Sequence, residues 1–195
     1  MRNFLAVLMS ALMLMMSATA LAKSDETLEQ QRNEVRQLSA ATLERLYQKY
    51  PNAERVINEC YAYATMSNSG VKVLFLGSAR GRGLAINNET GEEVFMKMRE
   101  VSGGLGLGAK EYDLIFVFED KDAWDSFIVG KTRFGGSAEA SASDGVSGGS
   151  FEGADFAAKG TWVYQMTKKG LTLEATLKGT KFYKDKALNK KSEEK

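Results

Sequence analysis

The chain of 195 residues carries 26 basic and 25 acidic side chains, one cysteine and no histidine. This near-neutral balance argues against bulk electrostatic binding to nucleic acid, which needs a clear excess of basic residues. One cysteine cannot form an internal disulfide, and without histidine the chain lacks the usual ligands of zinc and of most transition metals. We therefore expect one domain with a real core, and neither a metal nor a cofactor.

The first residues have the pattern of a secretory signal. Arg2 supplies the positive charge, Phe4–Met16 is an apolar segment, and Ala20-Leu21-Ala22 is a small-x-small cleavage site. The apolar segment is shorter than the roughly 20 residues of a transmembrane helix; an uncleaved membrane anchor is the alternative. We expect a signal peptide over residues 1–22, cleavage near Ala22, and a periplasmic or secreted protein. Cys60 lies far beyond that site, so we do not expect a lipoprotein.

Two helices are predicted after the signal. In Ser24–Tyr50 the apolar residues recur at spacings of three, four and seven, which predicts an N-terminal helix over residues 23–50 that packs on a sheet. Its alternative, a membrane-surface helix, would need more Lys and Arg on the polar face. Pro51 suits the first turn of a second helix, predicted to run to about Met66. The helical stripe that supports this prediction is Ala53, Val56, Ile57, Cys60, Tyr61 and Ala64.

From Gly70 onward the pattern changes to short strand-like runs separated by glycine and polar clusters. The predicted strands are Val71–Leu76, Gly83–Ile86, Val94–Met98, Leu105–Gly108, Leu114–Phe118, Gly135–Ala142, Gly160–Tyr164 and Leu171–Leu177. The other predicted elements are turns at Asn87–Gly91 and Lys168–Gly170, a helix within Glu119–Val129, a solvated loop at Ser143–Gly153 and a frayed, charged tail over residues 185–195.

Glycines alternate with leucines in the first part of Val101–Phe118, and an apolar run ends it. A glycine face usually marks a tight bend or a close approach of another element, so we expect the bent centre of a curled sheet here. The predicted fold class is α+β, with N-terminal helices packed on a strongly curled, barrel-like antiparallel β-sheet.

Three short motifs resemble catalytic or nucleotide-binding signatures without their context. Gly104-x-Gly106-x-x-Ala109 matches a dinucleotide fingerprint, but no helix fits between it and the next strand. Gly145-x-Ser147-x-Gly149 matches a hydrolase elbow, yet no histidine can serve as its base. Ser69-x-x-Lys72 lacks the companion motifs of serine–lysine enzymes. We expect no catalytic residues and no enzyme.

Basic residues occur in pairs near predicted turns. Arg80 and Arg82 flank Gly81 and would share one strand face. Lys131 and Arg133 repeat that spacing, and Lys168 and Lys169 are predicted to lie in a turn. Grouped at one end of a sheet, these six residues would bind phosphate groups through charge-assisted hydrogen bonds. Ordinary solvated surface charge is the alternative.

The order of motifs resembles the SYLF domain family, whose members are lipid-binding domains also described as yeast actin-binding domains, over roughly Ala53–Tyr183. The segments that carry this resemblance are Ala53–Ala64, Val71–Leu76, Gly81–Ile86, Glu93–Met98, Gly104–Ala109, Gly130–Ala138 and Val163–Gly179. The resemblance implies a non-enzymatic domain over residues 51–184 that binds phospholipid, and phosphoinositide in eukaryotic members. Those members also associate with actin, which an exported bacterial-type protein would not meet, so we carry over lipid binding only.

We therefore expect an exported protein that docks on anionic phospholipid head groups. The expected lipid-binding residues are Arg80, Arg82, Lys131, Arg133, Lys168 and Lys169. Exposed aromatic residues such as Phe134 and Tyr164 would reach the membrane interface. One alternative is an envelope structural or interaction protein that binds another protein, for example through an exposed strand edge. The other is a barrel-type carrier of a small apolar ligand.

Overall fold

The computed structural model describes residues 27–73, 76–103, 108–132, 134, 152–169 and 180–190. The signal sequence, the cluster 104–107, Arg133, and the predicted strands Gly135–Ala142 and Leu171–Leu177 lie outside these residues. Within the described ranges, none of the helices is both long enough and apolar enough to cross a membrane.

The described chain forms three helices and one seven-stranded antiparallel sheet. The helices are α1 (residues 27–49), α2 (Asn52–Glu59) and α3 (Lys121–Ile128). The strands are β1 (Ala62–Val73), β2 (Leu76–Asn87), β3 (Glu93–Gly103), β4 (Gly108–Phe118), β5 (Asp155–Ala158), β6 (Thr161–Lys169) and β7 (Thr180–Lys184). Their spatial order is β5-β6-β4-β1-β2-β3-β7, with β1 at the centre. The predicted α+β class with a curled antiparallel sheet is confirmed.

One face of the sheet forms an aromatic core with α3. Tyr112, Leu114, Phe116 and Phe118 alternate along β4 towards this face and are fully buried. The ring of Phe116 lies 5.0 Å from that of Phe127 in α3. Asp120 begins α3 by accepting a hydrogen bond from the backbone N–H of Ala123 at 2.8 Å, an ordinary N-cap. The helix predicted within Glu119–Val129 is confirmed.

The other face is covered by α1 and α2. Val35 packs on Leu84 and Phe95, and Leu46 packs on Ile115 at the opposite end of α1. Between these apolar contacts the interface is polar. The buried Thr65 hydroxyl donates to Ser39 Oγ at 2.7 Å, and Arg45 Nη2 donates to the fully buried Asp113 at 2.8 Å. The predicted packing of the N-terminal helix on a sheet is confirmed.

A tyrosine–glutamate hydrogen bond shows how strongly the sheet curls. Tyr112 of β4 donates from its hydroxyl to Glu100 of β3, and both side chains are buried. Two strands, β1 and β2, lie between β4 and β3. In a flat sheet three strand spacings would separate the two backbones by roughly 14 Å, beyond the reach of this pair. The sheet must therefore curve around this contact.

Glycines allow the strands to approach closely at the bend. A Cβ atom on Gly83 would lie 1.8 Å from the carbonyl oxygen of Thr65, and one on Gly81 would lie 2.6 Å from that of Ser67. Any side chain at either position would push β2 away from β1. A register shift between Glu111 and Tyr112 in the β4–β6 pairing adds to the bend.

The second predicted helix is shorter than expected. It ends at Glu59, Cys60 is extended with ψ of 160°, and β1 begins at Ala62. Ala64 fits both the helical stripe and an alternating strand pattern, but the alternate residues Ala62 and Met66 are also fully buried on one face. Pairing of β1 with strands on both sides satisfies its backbone groups, so the strand prevails.

Three further predictions need correction. The predicted strand Val71–Leu76 is divided between two strands: β1 ends at Val73, and β2 begins at Leu76. Lys168 and Lys169 belong to β6 rather than to a turn. Residues 185–190 are not frayed, because Leu188 is buried against Val35 and Phe95. The predicted turn Asn87–Gly91 is confirmed, and its Gly91 has a positive φ of 70°.

Replacing Tyr112 by phenylalanine tests the contact that spans the curl. Tyr112→Phe leaves the buried Glu100 without this hydrogen bond, so we expect the free energy of unfolding to fall by about 1–3 kcal/mol. Urea denaturation measures the change. The matched control Tyr183→Phe alters an exposed tyrosine and should change stability by less than about 0.5 kcal/mol. Equal effects of the two substitutions would contradict this role.

Candidate functional site

Four basic side chains form a block on the hairpin of β2 and β3. Arg80 lies opposite Arg99, and Arg82 lies opposite Lys97. Residues two apart on a strand share a face, so all four project to the face on which α1 packs. All four residues are exposed. We call Arg80, Arg82, Lys97 and Arg99 the basic block.

The block is under electrostatic stress. Like charges directly opposite each other on neighbouring strands destabilise a sheet, and the block contains two such pairs in succession. Among the described residues neither Arg80 nor Arg99 forms an ion pair. Arg82 has a distant partner in Glu34, at 3.9 Å, and both side chains are more than half exposed. Such a pair contributes little, so the block keeps an excess of positive charge.

A cleft of about 890 Å³ lies over the block. Glu34 and Leu38 of α1 form one wall, and Glu111 and Tyr183 also line it. Its volume lies within the roughly 300–1,000 Å³ range of small-molecule sites. Two carboxylates against four cations leave the lining net positive. The cleft can therefore hold an anionic group between α1 and the strands.

The row of cations continues onto the edge strand. Lys181 of β7 lies opposite Arg99, and Tyr183 lies opposite Lys97. Tyr183 is one of the two large hydrophobic residues that are exposed within the described ranges, with 42% of its surface accessible. Arg80, Arg99 and Lys181 thus form one line across three neighbouring strands.

The structure brings together only part of the predicted set. Arg80 and Arg82 lie side by side, as their spacing predicts. Lys131 follows α3 and lies outside the block, beside a different cleft. Lys168 and Lys169 end β6, which β4 and β1 separate from β2. Arg133 lies outside the described residues.

Two members of the block were missed by the sequence analysis. Lys97 and Arg99 alternate with Met96 and Met98. This alternation indicates that the two cations share one face of a strand, but it does not indicate which strand lies next to them. Only the register of β3 with β2 places them opposite the two arginines.

The prediction that exposed aromatic residues reach the membrane interface is corrected for two residues. Tyr164 is fully buried beside Tyr50, with 5.7 Å between their rings, and Phe134 is half-buried against the aromatic core.

Lys97 also connects the block to the C-terminal segment. Its Nζ lies 2.8 Å from Asp185, which further accepts hydrogen bonds from the backbone N–H groups of Ala187 and Leu188. Burial alone would raise the pKa of Asp185, but Lys97 and these N–H groups outweigh it and lower that pKa below its ordinary 3.8. The charged carboxylate therefore stabilises the folded chain.

The described residues hold no group of three or more side chains with the spacing of a metal site. Cys60 is half-buried, and burial raises the pKa of its thiol to about 12. Its sulfur accordingly stays protonated at neutral pH, as in a small, partly buried side chain rather than a reactive thiol.

The fold defines a class of protein: an α+β domain with a curled antiparallel sheet covered on both faces. Residues 99–192 match the family model described as Ysc84, Las17-binding protein actin regulator. Beta cell expansion factor A of Aeromonas veronii is 32% identical over 170 residues, which are 86% of this chain and 62% of that protein. The chain thus spans less than two thirds of the length of that relative. The resemblance to the SYLF family is confirmed: residues 99–192 match the Ysc84/SYLF family model.

Replacing Asp185 by asparagine tests its link to Lys97. A carboxyl whose pKa is lower in the folded than in the unfolded state stabilises the fold at any pH above its unfolded-state pKa. This contribution is lost as the pH falls through its folded-state pKa. We expect Asp185→Asn to lower the melting temperature at neutral pH. Its difference from the wild type should shrink as pH falls below about 3.8, the ordinary pKa of the group.

Thermal melts over a pH series measure this difference. The control Asp155→Asn changes an exposed carboxylate of β5 and should alter stability at neutral pH by less than about 0.5 kcal/mol. A difference between wild type and Asp185→Asn that grows towards low pH would contradict the assignment.

Proposed function

We propose that this chain is a non-enzymatic, exported protein that docks on membranes by binding anionic phospholipid head groups at the basic block. The observation that carries the proposal is the two pairs of opposed cations, Arg80 with Arg99 and Arg82 with Lys97, beneath an open cleft. The similarity to the SYLF family supports a lipid-binding role at the level of the family. The family description also names an actin regulator; for an exported chain we carry over lipid binding only.

Phosphate is the anion that suits this arrangement best. A guanidinium group presents paired N–H donors that match two oxygens of a phosphate, and the block contains three arginines. A bound phosphodiester would also offset the repulsion between opposed cations. Basic residues near an anionic membrane each contribute about 1 kcal/mol. Lys97 is held in a close ion pair with Asp185, so the three arginines of the block supply most of this attraction.

Docking through the block also explains how a nearly neutral chain can prefer anionic membranes. The chain as a whole carries a formal net charge of only +1. Electrostatic attraction falls off within about 10 Å at moderate salt, so a local cluster matters more than the total. The four cations lie on two neighbouring strands and therefore act within that distance.

Sedimentation with lipid vesicles tests the docking surface. Wild type should pellet with vesicles that contain phosphatidylglycerol, much less with pure phosphatidylcholine, and less at high salt. Arg80→Glu with Arg99→Glu reverses two charges and should weaken binding at least tenfold, because about 1 kcal/mol is lost for each unit of charge.

The matched control is Lys49→Glu with Lys159→Glu, which makes the same charge change at two exposed lysines outside the cleft. It should retain most of the binding. Equal pelleting with neutral and anionic vesicles, or equal loss in both double variants, would overturn the proposal. A protein partner that co-purifies with a chain unable to bind vesicles would favour the envelope interaction protein instead.

Export is tested by the N-terminus of the recovered protein. When the full chain is expressed in a bacterial host, intact-mass spectrometry of the periplasmic and medium fractions should find a species that begins at Lys23. Replacing Ala20 and Ala22 by bulky residues should block that cleavage. Protein that retains residues 1–22 and remains in the cytoplasmic fraction would contradict export.

A further inference from the structure

The end of α3 and the edge strand β7 enclose a second cleft, of about 770 Å³. Three aromatic residues line it: Phe134, which is half-buried, and Phe127 and Phe182, which belong to the buried core. The ring of Phe182 lies 5.4 Å from those of both other residues. An apolar cleft of this size is typical of a small-molecule site, in which a few polar groups fix the orientation of the ligand.

The mouth of this cleft is both apolar and cationic. Val129 and Tyr183 line it with 60% and 42% of their surfaces exposed, and they are the large hydrophobic residues exposed within the described ranges. Lys131 and Lys181 also line it. In the part of the chain that the structure describes, neither lysine forms an ion pair. An apolar lining below unpaired ammonium groups complements an acyl chain that carries an anionic end.

The cleft adjoins the basic block at the edge strand β7. Tyr183 lines both clefts, and Lys181 lies opposite Arg99 in the strand register. An anionic group at the mouth of the second cleft would therefore lie at the end of the row of cations that crosses β2, β3 and β7. A ligand with a charged head and one hydrocarbon chain fits this neighbourhood of apolar and cationic residues better than a purely apolar ligand.

We propose that this cleft binds a single acyl chain with an anionic end, with Phe134 and Phe182 against the hydrocarbon and Lys131 and Lys181 at the charged group. The chain could belong to a phospholipid in a membrane or to a free fatty acid, which share this chemistry. The phospholipid case rests on the proposed function, since the head group would reach the cleft from the basic block.

Titration with cis-parinaric acid, a fatty acid whose fluorescence rises in apolar surroundings, tests the cleft directly. The full chain should bind this probe, oleate should displace it, and uncharged oleyl alcohol should displace it less well. Lys131→Glu with Lys181→Glu should weaken probe binding roughly tenfold or more, the equivalent of losing one charge-assisted hydrogen bond. Val129→Glu, at an exposed position, should do the same by repelling the carboxylate at the mouth.

Lys159→Glu provides the control for charge reversal. Lys159 is exposed and lines a neighbouring polar cleft with Asp120 and Asp122, but not this one. Probe binding should be unchanged in this variant. No binding of the probe by wild type, or the same affinity in the cleft variants and in the control, would overturn the proposal.

Two additional arms separate the sources of the acyl chain and separate this inference from membrane docking. Mass spectrometry of protein reisolated from phosphatidylglycerol vesicles detects a bound phospholipid, whereas reisolation from oleate detects the free acid. Finding either ligand supports the cleft, and finding no bound ligand in both cases would contradict it. Wild type that pellets with anionic vesicles but takes up no acyl chain contradicts the cleft and leaves docking intact. Wild type that takes up oleate but ignores vesicles contradicts docking and leaves the cleft intact.

Discussion

The tight curl of the sheet is the constraint on which the other features depend. It requires strands that approach closely at Gly81 and Gly83, where any side chain would collide with the backbone of β1. It also brings Tyr112 of β4 within hydrogen-bonding distance of Glu100 of β3, although two strands lie between them. Burial and the bond to Glu100 both raise the pKa of Tyr112, so its hydroxyl remains a donor to the buried carboxylate.

The same curl determines what the two faces can do. On one face it gathers the aromatic side chains of β4, α3 and β7 into a compact core. On the other face α1 packs on the sheet at two apolar contacts. The basic block lies on the part of β2 and β3 that α1 leaves exposed. The opposed cations reduce the stability of the hairpin. The extensive burial on both faces offsets that cost, which allows the block to keep its excess charge in the absence of a ligand.

Local patterns predicted much of the fold, whereas contacts distant in sequence defined most of the site. α1, α3 and the turn at Asn87–Gly91 follow from spacing and capping over a few residues. The end of α2 does not, because Ala64 satisfies the helical and the strand period equally well. Arg80 and Arg82 were identifiable from their own spacing. Lys97 and Arg99 become part of the site only through the pairing of β2 with β3, and the exposure of Tyr183 depends on the placement of an edge strand.

The positions at which lipid head groups contact the chain decide whether the basic block is the docking surface. A phosphatidylglycerol that carries a photoreactive group on its head group can be cross-linked to the full chain on vesicles, and mass spectrometry then identifies the modified peptides. Head groups bound at the basic block should give cross-links in the segments 78–82 of β2 and 97–99 of β3, on either side of the cleft floor. Cross-links confined to the exposed side of α2, with none on β2 or β3, would contradict docking at the block.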